Sequence, residues 1–156
     1  MKNKIGLVSE DCIEITNYLN TLLSNYQLLY INVRGFHWNI KGNNFFELHL
    51  KFEEIYNNLQ IKIDEIAERI LTLGYTPIHS YSEYLKKSEI KESTGITDGK
   101  MALAEILNAL KIIITAQRDI LKLAGNANDE GTNALMSDYI REQEKTIWMY
   151  NAYLNN

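Results

Sequence analysis

Apolar residues recur at three- and four-residue intervals in four long stretches of this chain, the spacing of amphipathic helices. Ile15, Leu19, Leu22, Leu23, Tyr26, Leu29, Tyr30 and Val33 make the first stripe. That helix is expected to start near Ser9, with Glu10 and Asp11 in its first turn, and to run to about His37. Residues 39–44, rich in asparagine with Gly42, read as a turn. The second stripe, from Phe45 through Phe52, Leu59, Ile66 and Ile70 to Leu73, predicts a helix stopped by Gly74, with Pro77 just beyond. A third helix is expected from an N-cap at Thr97, with Asp98 in its first turn, to about Ala124, ended by Gly125. A fourth begins near Asp129 and carries Leu135, Tyr139, Ile140, Ile147, Trp148 and Tyr150 to about Leu154.

Residues 74–96 link the second and third helices, with a short helix expected at Tyr81 to Lys87. A link of this length crosses a bundle from end to end and sets the flanking helices parallel. The predicted fold is all-α: a ferritin-like four-helix bundle with one long crossover.

Composition narrows the picture. With 156 residues, one proline and eight glycines, a single domain of long helices is expected over residues 1–156, after a short flexible tail at 1–8. A net charge of -4 excludes a strongly basic nucleic-acid binder. Cys12 is the only cysteine, which excludes an intramolecular disulfide and fits a reducing cytoplasm. The first residues do not read as a signal peptide, and no membrane span is expected.

Candidate chemistry lies in Phe36-His37-Trp38-Asn39, in His49 with Glu53, and in Asp64 with Glu68. At about 100° per residue, His49, Glu53, Asp64 and Glu68 share one side of the second helix. Yet His49 and Asp64 stand roughly 22 Å apart along its axis. One straight helix cannot bring both to one ion, but an antiparallel second copy can, so the geometry suggests a site shared across a two-fold interface. Imidazole with carboxylate suits iron, zinc or manganese. Taken singly, each residue has an ordinary explanation. A histidine at a helix end can be a cap or a surface residue, Asp64 and Glu68 can be solvated charges, and Trp38 can be a core aromatic or a dimer contact. The chain also lacks any Glu-x-x-His motif, so the usual intra-bundle di-iron site is not expected.

His37-x11-His49 followed by Asp64-x3-Glu68 resembles the ferroxidase signature of the Dps family, the ferritin-like proteins named for DNA protection in starved cells. Phe36-His37-Trp38-Asn39, Asp64-Glu65-Ile66-Ala67-Glu68-Arg69, Asp129-Glu130-Gly131-Thr132 and Ile147-Trp148-Met149 resemble family patterns as well. The resemblance implies a dodecamer built from two-fold dimers, with iron held by His37 and His49 of one chain and Asp64 and Glu68 of its partner. Glu53 stands where the family commonly has aspartate, as a ligand, a water-mediated contact or an orienter of a histidine, and Trp38 would lie near the iron. The implied chemistry is oxidation of Fe²⁺ to Fe³⁺, preferably by hydrogen peroxide, with ferric mineral stored in the cavity, in the bacterial cytoplasm or nucleoid. Asp129, Glu130 and Asp138 are candidates for an acidic pore, against an alternative in which Asp129 and Glu130 only favour the helix dipole.

Direct DNA binding is expected to be weak or absent, since the amino terminus offers only Lys2 and Lys4 and the carboxyl terminus ends in Asn155-Asn156. One rival reading is a non-catalytic helical assembly or DNA-binding protein with structural histidines. Another is a di-manganese catalase or oxygenase, against which the missing Glu-x-x-His motifs count.

Overall fold

Thirty-one residues of α1 (Ser9–Asn39) form the central strut of the molecule. After it come α2 (Phe45–Thr72), α3 (Tyr81–Lys87), α4 (Gly99–Asn126) and α5 (Glu130–Tyr153). This is a computed structural model describing residues 1–155; Asn156 of the terminal asparagine pair lies outside the described residues. The expected all-α, ferritin-like bundle is the architecture found. α1 and α2 form one hairpin, α4 and α5 a second, and α1 packs on α4. Ile15, Leu19, Leu22, Phe52, Ile66, Ile70, Leu103 and Ile106 are among the side chains sealed between them.

The crossover runs the length of α1. At its start the Tyr75 hydroxyl donates to the carbonyl of Ser9, and at its end the Lys41 amide donates to Thr97. α4 therefore begins where α2 begins, and the two run parallel. Backbone groups of an irregular link need partners, and α1 supplies them from three asparagines. Asn20 accepts from the Ile78 amide, Asn25 from the Glu89 amide, and Asn32 accepts from Ser93 and donates to Lys91. All three are buried, although asparagine in a helix ordinarily signals a wet face.

Several helix ends differ from expectation by a residue or two. α1 continues past His37 to Asn39, and α2 ends at Thr72 rather than Leu73. Asp98, not Thr97, caps α4, its carboxylate accepting from the Met101 amide at 2.8 Å. Both residue types cap helices, and the one whose side chain faces the free amides wins. Gly125 stays helical, and Asn128 with φ of 58° makes the left-handed turn instead. The segment expected as a tail folds back as a loop in which Asn3 donates to the Leu73 carbonyl and accepts from the Ile5 and Leu7 amides.

Removing the α4 cap gives a direct check. Asp98→Ala is expected to cost about 1 kcal/mol in urea unfolding, with the helical circular dichroism of the native state unchanged. A loss below a few tenths would mean that water replaces the carboxylate at no cost.

In the middle of the bundle lies a closed ring of three neutral side chains. The Tyr26 hydroxyl donates to Gln117 at 2.6 Å, the Gln117 amide donates to Gln143 at 2.7 Å, and the Gln143 amide donates back to the Tyr26 oxygen. Tyr26 and Gln117 are fully buried and Gln143 nearly so. Burial drives the Tyr26 hydroxyl far above its ordinary pKa, so it stays protonated.

Candidate metal centre

The α1–α2 hairpin places His37 and His49 face to face. His37 lies two residues before the end of α1, and His49 in the second turn of α2. The link between them turns sharply at Gly42, whose φ of 108° suits glycine. Phe36, on the next position round α1, buries against Phe52 and holds the register.

The two imidazoles stack with centroids 3.8 Å apart and planes 13° from parallel. Nδ1 of His37 lies 2.6 Å from the carbonyl oxygen of His49, and Nδ1 of His49 lies 2.8 Å from that of His37. A carbonyl only accepts, so each Nδ1 carries the proton. In the neutral ring this tautomer leaves the lone pair on Nε2, the form in which a metal-ligating histidine is held by its surroundings. His37 is only 8 % exposed, which rules out the bland reading of a solvated helix-end residue.

Sequence reasoning missed the aromatic shell around this pair. Tyr56 stands nearly perpendicular to His37 at 5.3 Å, and Phe45 stacks on His49 at 5.0 Å. Arg34 lies over Tyr56, Trp38 and Tyr30 at 4.6, 5.2 and 5.7 Å. The spacing of Arg34 and Trp38, four apart on one helix, was the available signal. Trp38 itself is 58 % exposed, so it is not a core residue of the single chain. Glu53 is half-buried one turn after His49, with the Tyr56 hydroxyl 3.5 Å from its carboxylate.

Asp64 and Glu68 are not brought to the histidines. They lie exposed farther along α2, and no side-chain hydrogen bond or ion pair engages either carboxylate among the described residues. Asp64 lines an open groove between α1 and α2 with Gln27, Tyr30, Asn57 and Ile61. Among the described residues of one chain, no three His, Cys, Asp or Glu side chains converge in a metal-binding cluster. Phe46, Leu50, Ile61 and Leu71 are exposed and fall within about 80° of Asp64 and Glu68 round the helix. The carboxylates thus sit in an apolar stripe on the surface of the chain.

The three acidic residues considered for a pore divide. Asp129 is 1 % exposed and ion-paired to Arg69 at 2.6 Å, and it caps α5 by accepting from the Thr132 amide and hydroxyl. It has the capping role, and no oxygen faces solvent. Glu130 and Asp138 are exposed, the latter beside Arg141. Cys12 is buried, and burial pushes its thiol pKa up. His79 is exposed and bonds only to the nearby Pro77 carbonyl.

Comparison with known proteins now bears on this geometry. A ferritin-like domain profile of the ferritin family matches residues 16–156. A Dps protein structure from Vibrio cholerae O1, described as a member of a broad superfamily of ferritin-like diiron-carboxylate proteins, superposes with a TM-score of 0.97. It is 57% identical, over 98% of this chain and 96% of that one. The chain belongs to the Dps family. A DNA protection during starvation protein of Porphyromonas gingivalis is 43% identical over 95% of this Dps chain and 93% of its own length. One from Bacillus anthracis is 34% identical over 91% and 97%. The bundle core, where other four-helix proteins build metal sites, is filled in this Dps chain by the neutral Tyr26–Gln117–Gln143 ring. No helix among the described residues is long and apolar enough to cross a membrane.

Proposed function

We propose that this protein oxidises Fe²⁺ to Fe³⁺, preferably with hydrogen peroxide, at a two-iron site shared by two copies of the chain. The ferric product is stored within a hollow dodecamer in the bacterial cytoplasm or nucleoid, which limits oxidative damage to DNA. The observation that carries the reading is the reciprocal histidine lock, in which both Nδ1 atoms are occupied and the Nε2 atoms of two rings stacked 3.8 Å apart are left for a metal. Two neutral nitrogens alone make a weak iron site, whereas carboxylates stabilise Fe³⁺. The unengaged Asp64 and Glu68, set in an exposed apolar stripe, supply them when a second copy packs antiparallel on α2. Glu53 joins as a ligand or as an orienter through the Tyr56 side.

The chemistry balances simply. Each of two Fe²⁺ ions gives up one electron, and peroxide takes both with two protons to leave as two waters. Delivering the electrons as a pair avoids release of a hydroxyl radical. Glu130 and Asp138, both exposed, remain the acidic residues for drawing iron inward, since Asp129 is buried against Arg69. A net charge of -4 supports protection without tight DNA contact.

The test is an anaerobic Fe²⁺ titration followed by peroxide, with a spin trap present. About two Fe²⁺ oxidised per peroxide, with little trapped radical, is the expected result. Radical yield equal to that of free Fe²⁺ would sink the ferroxidase reading and favour the assembly with structural histidines.

A further inference from the structure

We infer that Arg34 is a positioning residue for the histidine pair, acting through Tyr56; the inference rests on the metal-site reading above. Arg34 lies on α1 one turn before His37. Its guanidinium carbon is 4.6 Å from the Tyr56 ring centre, and its Nη1 donates to the Tyr30 hydroxyl at 2.8 Å. Tyr30 and Tyr56 meet in a T-shaped pair at 6.1 Å, and Tyr56 and His37 in another at 5.3 Å. One cation thus joins an α1 ring to the α2 ring that borders the imidazole.

A second observation separates this from simple packing. Nε of Arg34 is shielded from water and has no hydrogen-bond partner. Stranding a donor is unfavourable, and an aliphatic side chain would fill the gap between the rings without doing so. The guanidinium is held by ring faces and one hydroxyl, and what it contributes is the placement of those rings. His37 is locked at Nδ1 by the His49 carbonyl and stacked on the His49 ring at 3.8 Å, and Tyr56 meets it nearly at right angles at 5.3 Å. The Tyr56 ring is thus a further restraint on the imidazole, and Arg34 holds the Tyr56 ring. The placement of the His37 ring then depends in part on a residue outside the lock.

Co²⁺ affinity of the full chain tests this, because the visible spectrum of bound Co²⁺ reads the ligand set without any oxidant. Arg34→Gln is expected to weaken Co²⁺ binding about tenfold, as loss of outer-shell support commonly does. Tyr56→Leu should weaken it similarly, and the double variant should be no worse than Tyr56→Leu alone. Arg34→Lys keeps a cation over the rings, should recover part of the loss, and serves if Arg34→Gln melts below the assay temperature. Wild-type affinity in both Arg34 variants, or additive losses in the double variant, would overturn the inference and leave the site reading intact. Undiminished binding by a His37→Ala/His49→Ala variant would instead remove the site itself, and this inference with it.

Discussion

Replacing both His37 and His49 by alanine is expected to slow peroxide-driven Fe²⁺ oxidation by about a hundredfold or more. Each Nδ1 is tied to the other residue's carbonyl, so it is the two Nε2 atoms that are left for a metal. Alanine removes both ligands and both ties together. Asp64→Asn with Glu68→Gln should do comparable harm from the opposite end of α2, where the histidines are untouched. The sharper measurement is to co-express the two double variants. In a mixed dimer one site carries all four ligands and the other carries none. Random pairing then restores about a quarter of the wild-type sites, being half the sites in half the dimers. A site contained in one chain would regain nothing on mixing. Rates in the mixture equal to the sum of the two inactive parents would therefore refute the shared site.

Asp129→Ala should cost about 3–5 kcal/mol, the scale of a buried charge stripped of its partner. The carboxylate serves three groups: Arg69 at 2.6 Å, the Thr132 amide at 3.0 Å and the Thr132 hydroxyl. Arg69 also donates to the Thr132 hydroxyl at 2.9 Å, so the end of α2 and the start of α5 are clamped together. Gly131 makes room for that clamp, since a Cβ there would sit 2.8 Å from the guanidinium nitrogens. Asp129→Asn keeps the cap but loses the ion pair, and should lose less. Urea unfolding of both variants measures the difference. A cost below about 1 kcal/mol for the alanine variant would mean that the Arg69 pair is worth no more than an exposed one.

The helices were legible because their stripes are long and because Gly74, with φ of 96°, stops α2 where a stop signal stands in the sequence. The α4 boundaries slipped for the opposite reason. Thr97 and Asp98 are adjacent capping types, and the left-handed residue after α4 is an asparagine rather than Gly125. The asparagines of α1 were illegible as crossover anchors, since nothing local shows that Asn20, Asn25 and Asn32 face a returning chain. At the site, spacing alone could place the histidines and carboxylates on a helix face and show that one chain cannot unite them. It could not show the mutual carbonyl bonds, which depend on the tightness of the hairpin and on side-chain rotamers. Arg34 reads in sequence as one more surface charge beside a glycine. Asp129 had two readings, and only its burial against Arg69 separates them.

The ring of Tyr26, Gln117 and Gln143 also carries a consequence for how the chain folds. Each hairpin, α1 with α2 and α4 with α5, is built from contacts close in sequence and can form early. The ring spans both, with separations of 91 and 117 residues from Tyr26 to its partners. It can close only when the preformed hairpins dock, and its bonds run head to tail, so a hairpin seated out of register would leave buried donors with nothing to meet. Tyr26 is therefore a latch that checks alignment at the last step. Swapping it for phenylalanine should leave hairpin formation fast while raising the rate at which the two halves come apart.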